Sequence, residues 1–190
     1  MKHIAIFASG SGTNAEAIME KMANNPLGRV VALLSNKADA FALTRAAAFK
    51  VPTFVFTAKT LKENPQEILA ILDHQKVDLV VLAGFMLLMP PEIVSQYAGR
   101  MVNIHPALLP AYGGKGMYGD NVHKAVVAAH ESQSGITIHF VNEHYDSGAT
   151  ILQATTPVTD SDTPETLAAK IHVLEHQYYP VVVENLCHAK

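Results

Sequence analysis

Tryptophan is absent from the 190 residues, cysteine occurs once, as Cys187, and Asp, Glu, Lys and Arg together supply only 16% of the chain. A lone cysteine cannot close an internal disulfide, so the expected setting is a reducing cytoplasm. Lys and Arg form no run, and the net charge is −3, which argues against a protein that binds nucleic acid by neutralising phosphates. No stretch reaches the roughly 18 uncharged apolar residues of a membrane span, and the first apolar run, Ile4-Ala-Ile-Phe-Ala8, is too short even for a signal-peptide core. Repeats, low-complexity tracts and linkers are also missing. What remains is 49% hydrophobic, too apolar for a disordered chain and sized for one globular domain over residues 1–190.

The apolar runs at residues 4–8, 30–34, 51–56 and 79–83 read as strands buried on both faces. Between them lie helical patterns: Ala15, Ile18, Met19 and Met22 share one face after a cap at Thr13 or Asn14, residues 39–49 are Ala-rich, and Asn64-Pro65 opens a third helix running to about residue 75. Strands alternating with helices call for an open, mostly parallel α/β sheet with right-handed crossovers and helices on both faces. After Gly84 the rhythm changes. Pro90-Pro91 opens a short helix, residues 101–104 form a brief strand, and residues 106–119 form a loop with two prolines and four glycines. A helix over 122–131 and strands over 136–141 and 149–158 follow, the two strands forming an antiparallel hairpin. Thr163-Pro164 starts a last long helix, expected to bend near Pro180.

Ser9-Gly-Ser-Gly-Thr-Asn-Ala15 links the first strand to the first helix. Glycine lets backbone approach a ligand closely, and a helix N-terminus offers unpaired N–H groups with partial positive charge, a site for a single phosphate. Gly10, Gly12 and Ala15 also satisfy G-x-G-x-x-A, but a dinucleotide needs an acidic residue after the second strand, where Ser35-Asn36-Lys37 stands. A tight turn without any ligand is the third reading. Asn103-Ile104-His105-Pro106 ends a strand, so Asn103 and His105 point to one side, a carboxamide donor beside a proton shuttle. Asp146, in the turn Asp146-Ser-Gly148, could orient a histidine or water; His139 and His144 are weaker candidates. These residues alone would equally suit a turn-former and two structural side chains. No Gly-x-Ser-x-Gly elbow exists and Cys187 lacks a catalytic context, which leaves direct attack of one substrate on another.

Other patterns carry less. His172-Val-Leu-Glu175-His176 matches the inverted zinc-protease spacing without an evident third ligand, so no metal is expected. Gly113-Gly-Lys-Gly116 is expected to be a flexible loop, since no Ser or Thr follows Lys115. Phe85-Met-Leu-Leu-Met89 could be core or could wall an apolar pocket at the strand end.

Five segments together resemble the glycinamide ribonucleotide formyltransferases over nearly the whole chain: Ala8-Ser-Gly-Ser-Gly-Thr-Asn14, Ser35-Asn-Lys-Ala-Asp-Ala40, Val80-Val-Leu-Ala-Gly-Phe-Met86, Asn103-Ile-His-Pro-Ala-Leu-Leu-Pro110, and Gly135 through Gly148. Asn-x-His-Pro alone resembles the wider folate-dependent family, while the glycine loop with Glu175-His176 favours this branch. The resemblance implies a Rossmann-like formyltransferase fold, with a phosphate-binding half (about 1–100) and a catalytic, folate-binding half (about 101–190). It implies transfer of a formyl group from 10-formyltetrahydrofolate to the amine of 5'-phosphoribosylglycinamide, in purine synthesis, by direct amine attack. Asn103, His105 and Asp146 would be the catalytic trio, and Gly12, Thr13, Asn14 and Glu175 would hold the phosphoribosyl substrate. Met86, Leu87, Leu88 and Met89, with Val141, Asn142, Glu143 and His144, would form the folate pocket. Expected partners are these small molecules alone, with no nucleic acid or membrane, on a monomer or weak homodimer.

Three departures from the family pattern stand out. Lys62 is the basic residue nearest the place where the family has an Arg for the folate tail; residues 112–121 form an unusual loop; and the stretch after the last helix is short, its loss expected to be peripheral. A formyltetrahydrofolate hydrolase usually carries an extra regulatory domain and a methionyl-tRNA formyltransferase a basic one, and 190 residues at charge −3 are expected to hold neither. A non-catalytic nucleotide- or folate-binding module is the rival from another class.

Overall fold

Residues 1–188 are described by the computed structural model. The first half runs β1 (Lys2–Phe7), α1 (Thr13–Met22), β2 (Gly28–Ser35), α2 (Phe41–Ala48), β3 (Thr53–Val55), α3 (Ala58–Glu63), α4 (Pro65–His74), β4 (Leu79–Leu82). The second runs α5 (Pro91–Gln96), β5 (Met101–His105), α6 (Asp120–Ala128), β6 (Gln133–Phe140), β7 (Thr150–Pro157), α7 (Pro164–His188). All seven strands form one sheet in the order β3-β2-β1-β4-β5-β6-β7. Pairing is parallel from β3 to β5 and antiparallel from β5 to β7, as the hairpin pattern predicts.

Alternation along β1 sorts its side chains into two cores. Ile4 and Ile6 pack on one face with α1, α2, α6 and α7, whereas Ala5 and Phe7 pack on the other with α3, α4 and α5. A strand covered on both sides has no polar face, which is why it reads as an unbroken apolar run. Chain order reverses between β1 and β4: β2 follows to one side and β4 crosses to the other. At such a switch point the strand-to-helix loops diverge and leave a crevice at the C-terminal ends of the strands.

Two local expectations need correction. Neither Thr13 nor Asn14 caps α1: Gly12 takes the cap position at φ 73°, and both residues lie in the first turn. The helix α3 has no counterpart in the sequence reading, because its six residues bury only Leu61 and show no apolar period; Thr57 caps it, accepting from the Thr60 N–H at 3.0 Å. The last helix, α7, runs continuously from Pro164 to His188 with Pro180 inside it.

Candidate active site

A cleft of about 570 Å³ opens at the switch point, lined by the loops after β1, β4 and β5, the 114–120 loop, the turn after β6, and one face of α7. Asn103 and His105, two apart on β5, both reach it, as does Asp146. The Nε2 of His105 lies 2.8 Å from the Tyr112 carbonyl, which only accepts, so that nitrogen carries a proton. This leaves Nδ1 as the ring nitrogen turned to the carboxylate. It faces Asp146 Oδ1 at 3.6 Å, too far for a direct bond and close enough for a water or substrate atom to bridge.

His139 sets the Asn103 carboxamide. Its Nδ1 donates to the Phe140 carbonyl at 2.9 Å, so its Nε2 is a bare acceptor for Asn103 Nδ2 at 3.2 Å. Burial pushes the His139 pKa below its usual range, against the pull of the Phe140 carbonyl and of Asp146. A neutral imidazole therefore fixes one N–H of Asn103 and leaves the other to the cleft. Asp146 adopts φ 51° in its turn, accepts at Oδ2 from the Gly114 N–H at 2.9 Å, and places Oδ1 between His105 and His139. A Cβ on Gly148 would run into the Phe140 carbonyl, so the turn carrying Asp146 closes this tightly only with glycine there.

At the other end of the cleft, Gly12, Thr13 and Asn14 present the first turn of α1. Arg45 ties this loop to α2, donating to the Ser11 carbonyl and pairing with Glu16. Ser9 donates to Asn36 at 2.6 Å and accepts from the Met86 N–H at 3.1 Å, so the position where a dinucleotide site needs an acid instead braces the loop after β4. Asn14 Nδ2 donates across the fold to Glu175 Oε2 at 2.9 Å, and His172 Nδ1 donates to the same oxygen at 2.9 Å.

The formyl transferase family matches residues 2–183. The chain belongs to that family. Among relatives, a chloroplastic phosphoribosylglycinamide formyltransferase from Arabidopsis thaliana is 43% identical over 98% of this chain, which spans 65% of that relative's length. The corresponding Bacillus subtilis protein is 38% identical over 98% of this chain and 95% of its own. Among solved structures, glycinamide ribonucleotide transformylase 1 from Geobacillus kaustophilus superposes with a TM-score of 0.90 at 39% identity, covering 98% of this chain and 99% of that one.

In this formyl transferase the residues 86–89 behave as two kinds of side chain. Met89 is core, whereas Met86 and Leu88 are 46% and 44% exposed on the cleft wall. Phe85 stacks edge-on to Phe7 at 5.4 Å and anchors the segment. Leu87, Val141, Asn142 and His144 line the cleft, but Glu143 faces a separate shallow groove beside α5, and Lys62 lies exposed on α3 away from the lining.

Two expectations about the site change. The 113–116 segment is part of it: Gly114 holds Asp146, and Lys115 is the only Lys or Arg among the described lining residues. His123 of α6 was not legible at all; it lines the cleft, burial lowers its pKa, and its Nδ1 is buried without a partner among the described residues. A histidine within an apolar helix face gives no period of its own, so no pattern could have flagged it. The described residues include no helix long and apolar enough to cross a membrane.

Proposed function

We propose that this formyl transferase moves a formyl group from 10-formyltetrahydrofolate to the amine of 5'-phosphoribosylglycinamide. The observation that carries the reading is the convergence of Asn103, His105 and Asp146 on one cleft that also receives the N-terminus of α1. The α1 turn at Gly12, Thr13 and Asn14 suits a phosphomonoester, since free N–H groups and the helix dipole both favour an anion. The Glu175 oxygen not engaged by Asn14 and His172 accepts from a ribose hydroxyl. The exposed apolar surfaces of Met86 and Leu88, facing Val141 and His144, suit a pterin ring.

In the reaction the amine nitrogen attacks the formyl carbon and a tetrahedral oxyanion forms. The free Asn103 N–H and the His105 Nδ1–H stabilise that oxygen, in a site where fixed donors need no reorganisation. The carbon–N10 bond then breaks. The proton lost by the amine reaches the leaving folate nitrogen, relayed by His105 and by the water space between it and Asp146. The products are a formamide and tetrahydrofolate, and no covalent enzyme intermediate is needed. Plant and bacterial relatives bearing the phosphoribosylglycinamide formyltransferase name support this reading. The test mixes the protein with glycinamide ribonucleotide and 10-formylated folate and follows deformylated folate. Product is expected only with the amine present; product without it would point to a hydrolase, and binding without product to a non-catalytic module.

A further inference from the structure

The phosphate end of the cleft contains an unbalanced charge. Glu175 is 6% exposed and sits against Asn14, in the very turn of α1 that suits an anion, and the only Lys or Arg among the described lining residues, Lys115, is on the 114–120 loop. A dianionic phosphomonoester next to a buried carboxylate is disfavoured unless a cation neutralises the pair. The Asn14 amide commits Nδ2 to Glu175 Oε2 although this leaves Asn14 Oδ1 buried without a partner among the described residues.

We infer that His172 is the counter-ion of this subsite: its imidazolium, bonded to Glu175 Oε2, neutralises the carboxylate beside the substrate phosphate and makes phosphomonoester binding pH-dependent. The inference rests on the proposed substrate placement and adds a regulated residue to it. His172 Nδ1 donates to Glu175 at 2.9 Å, while its side chain is 56% exposed, so Nε2 exchanges protons with solvent. Deprotonation keeps the bond, because the neutral Nδ1–H tautomer still donates, and removes only the charge. The groups facing His172 are Glu175 and the stacked ring of His176 on α7, 6.3 Å between centroids, and Asp120 and His123 on α6, while the Asn14 amide on α1 shares the Glu175 oxygen. Glu175, through both its hydrogen bond and its charge, and then Asp120 push the His172 pKa up, against partial burial. Burial pushes the His123 pKa down, so it adds less opposing charge than an exposed imidazole would.

The test measures glycinamide ribonucleotide binding by calorimetry, and KM and kcat in parallel, from about pH 6 to about pH 8.5, a window bracketing imidazole titration. For the unaltered protein, KM and the dissociation constant should rise by about five- to tenfold across it, the difference between a charge-assisted and a neutral contact, with the change in KM rather than kcat. His172→Asn keeps a donor without the charge and should show the weak, high-pH affinity throughout, apart from the titration of the ligand itself. His172→Lys should retain tight binding to the top of the range. Equal pH profiles for the unaltered protein and His172→Asn, with normal turnover, would overturn the inference and leave the formyl-transfer reading standing. The expected binding profile without turnover would do the reverse, and no binding at any pH would overturn both.

Discussion

Asn103 works through a neighbour. Its carboxamide could rotate freely in a cleft, yet the lone pair of His139 Nε2 takes one N–H and so aims the other. Such preorganisation is what makes a single donor worth about 10²–10³ in turnover when it faces a developing oxyanion. Asn103→Ala is therefore expected to lower kcat by about that factor with little change in KM. Steady-state kinetics check it, and near-normal kcat would remove Asn103 from the chemistry. Asn103 and His105 were legible because a spacing of two in a strand puts side chains on one side, and Asp146 because it sits in an Asp-Ser-Gly turn. The role of His139 was only half legible. Its alternation with Ile138 and Phe140 places it on β6, but the pairing of β6 with β5 that sets it opposite Asn103 is a long-range fact. His123 escaped because it lies in no pattern that repeats, and Lys115 was visible only in a glycine-rich segment that lacks the Ser or Thr of a phosphate loop.

Among the elements, the β1–α1 junction sets the proposed phosphate end. Gly12 has φ 73°, and a Cβ there would sit 2.5 Å from the Cβ of Ala42, so α1 and α2 approach this closely only over a glycine. Gly12→Ala would combine left-handed strain of about 1–2 kcal/mol with a steric clash. It is expected to lower the melting temperature and to raise KM for the phosphorylated amine about tenfold, with kcat less affected, an outcome that thermal melts and initial rates can check. An unaltered KM would separate this loop from substrate binding. The strand–helix alternation, and with it the parallel sheet, was plain in the sequence, since buried strands and amphipathic helices differ in period. The cap of α1 was misread for a physical reason. Local preference favours Asn as a cap, but Asn14 has a partner in Glu175, far away in the chain, and tertiary pairing outweighs local propensity.

For the molecule as a whole, titration of buried histidines couples folding to acidity. Burial pushes His123 and His139 below their usual values. Each therefore favours the folded state fully above the unfolded value of about 6.5, and that contribution is lost as pH falls from there through the folded value. The melting temperature is expected to decline with acid over this interval, and a His123→Gln, His139→Gln protein should show a shallower decline; parallel slopes would overturn the assignment. Tyr179 adds a consequence of a different kind. From α7 its hydroxyl donates to the carbonyls of Leu82, the last residue of β4, and Val102, within β5, and one turn earlier Glu175 meets Asn14. During translation the glycine loop emerges from the ribosome some 160 residues ahead of the carboxylate that braces it. The first strands and helices can leave the ribosome early, yet the proposed substrate subsite is complete only once the segment containing these two residues has cleared the exit tunnel and docked.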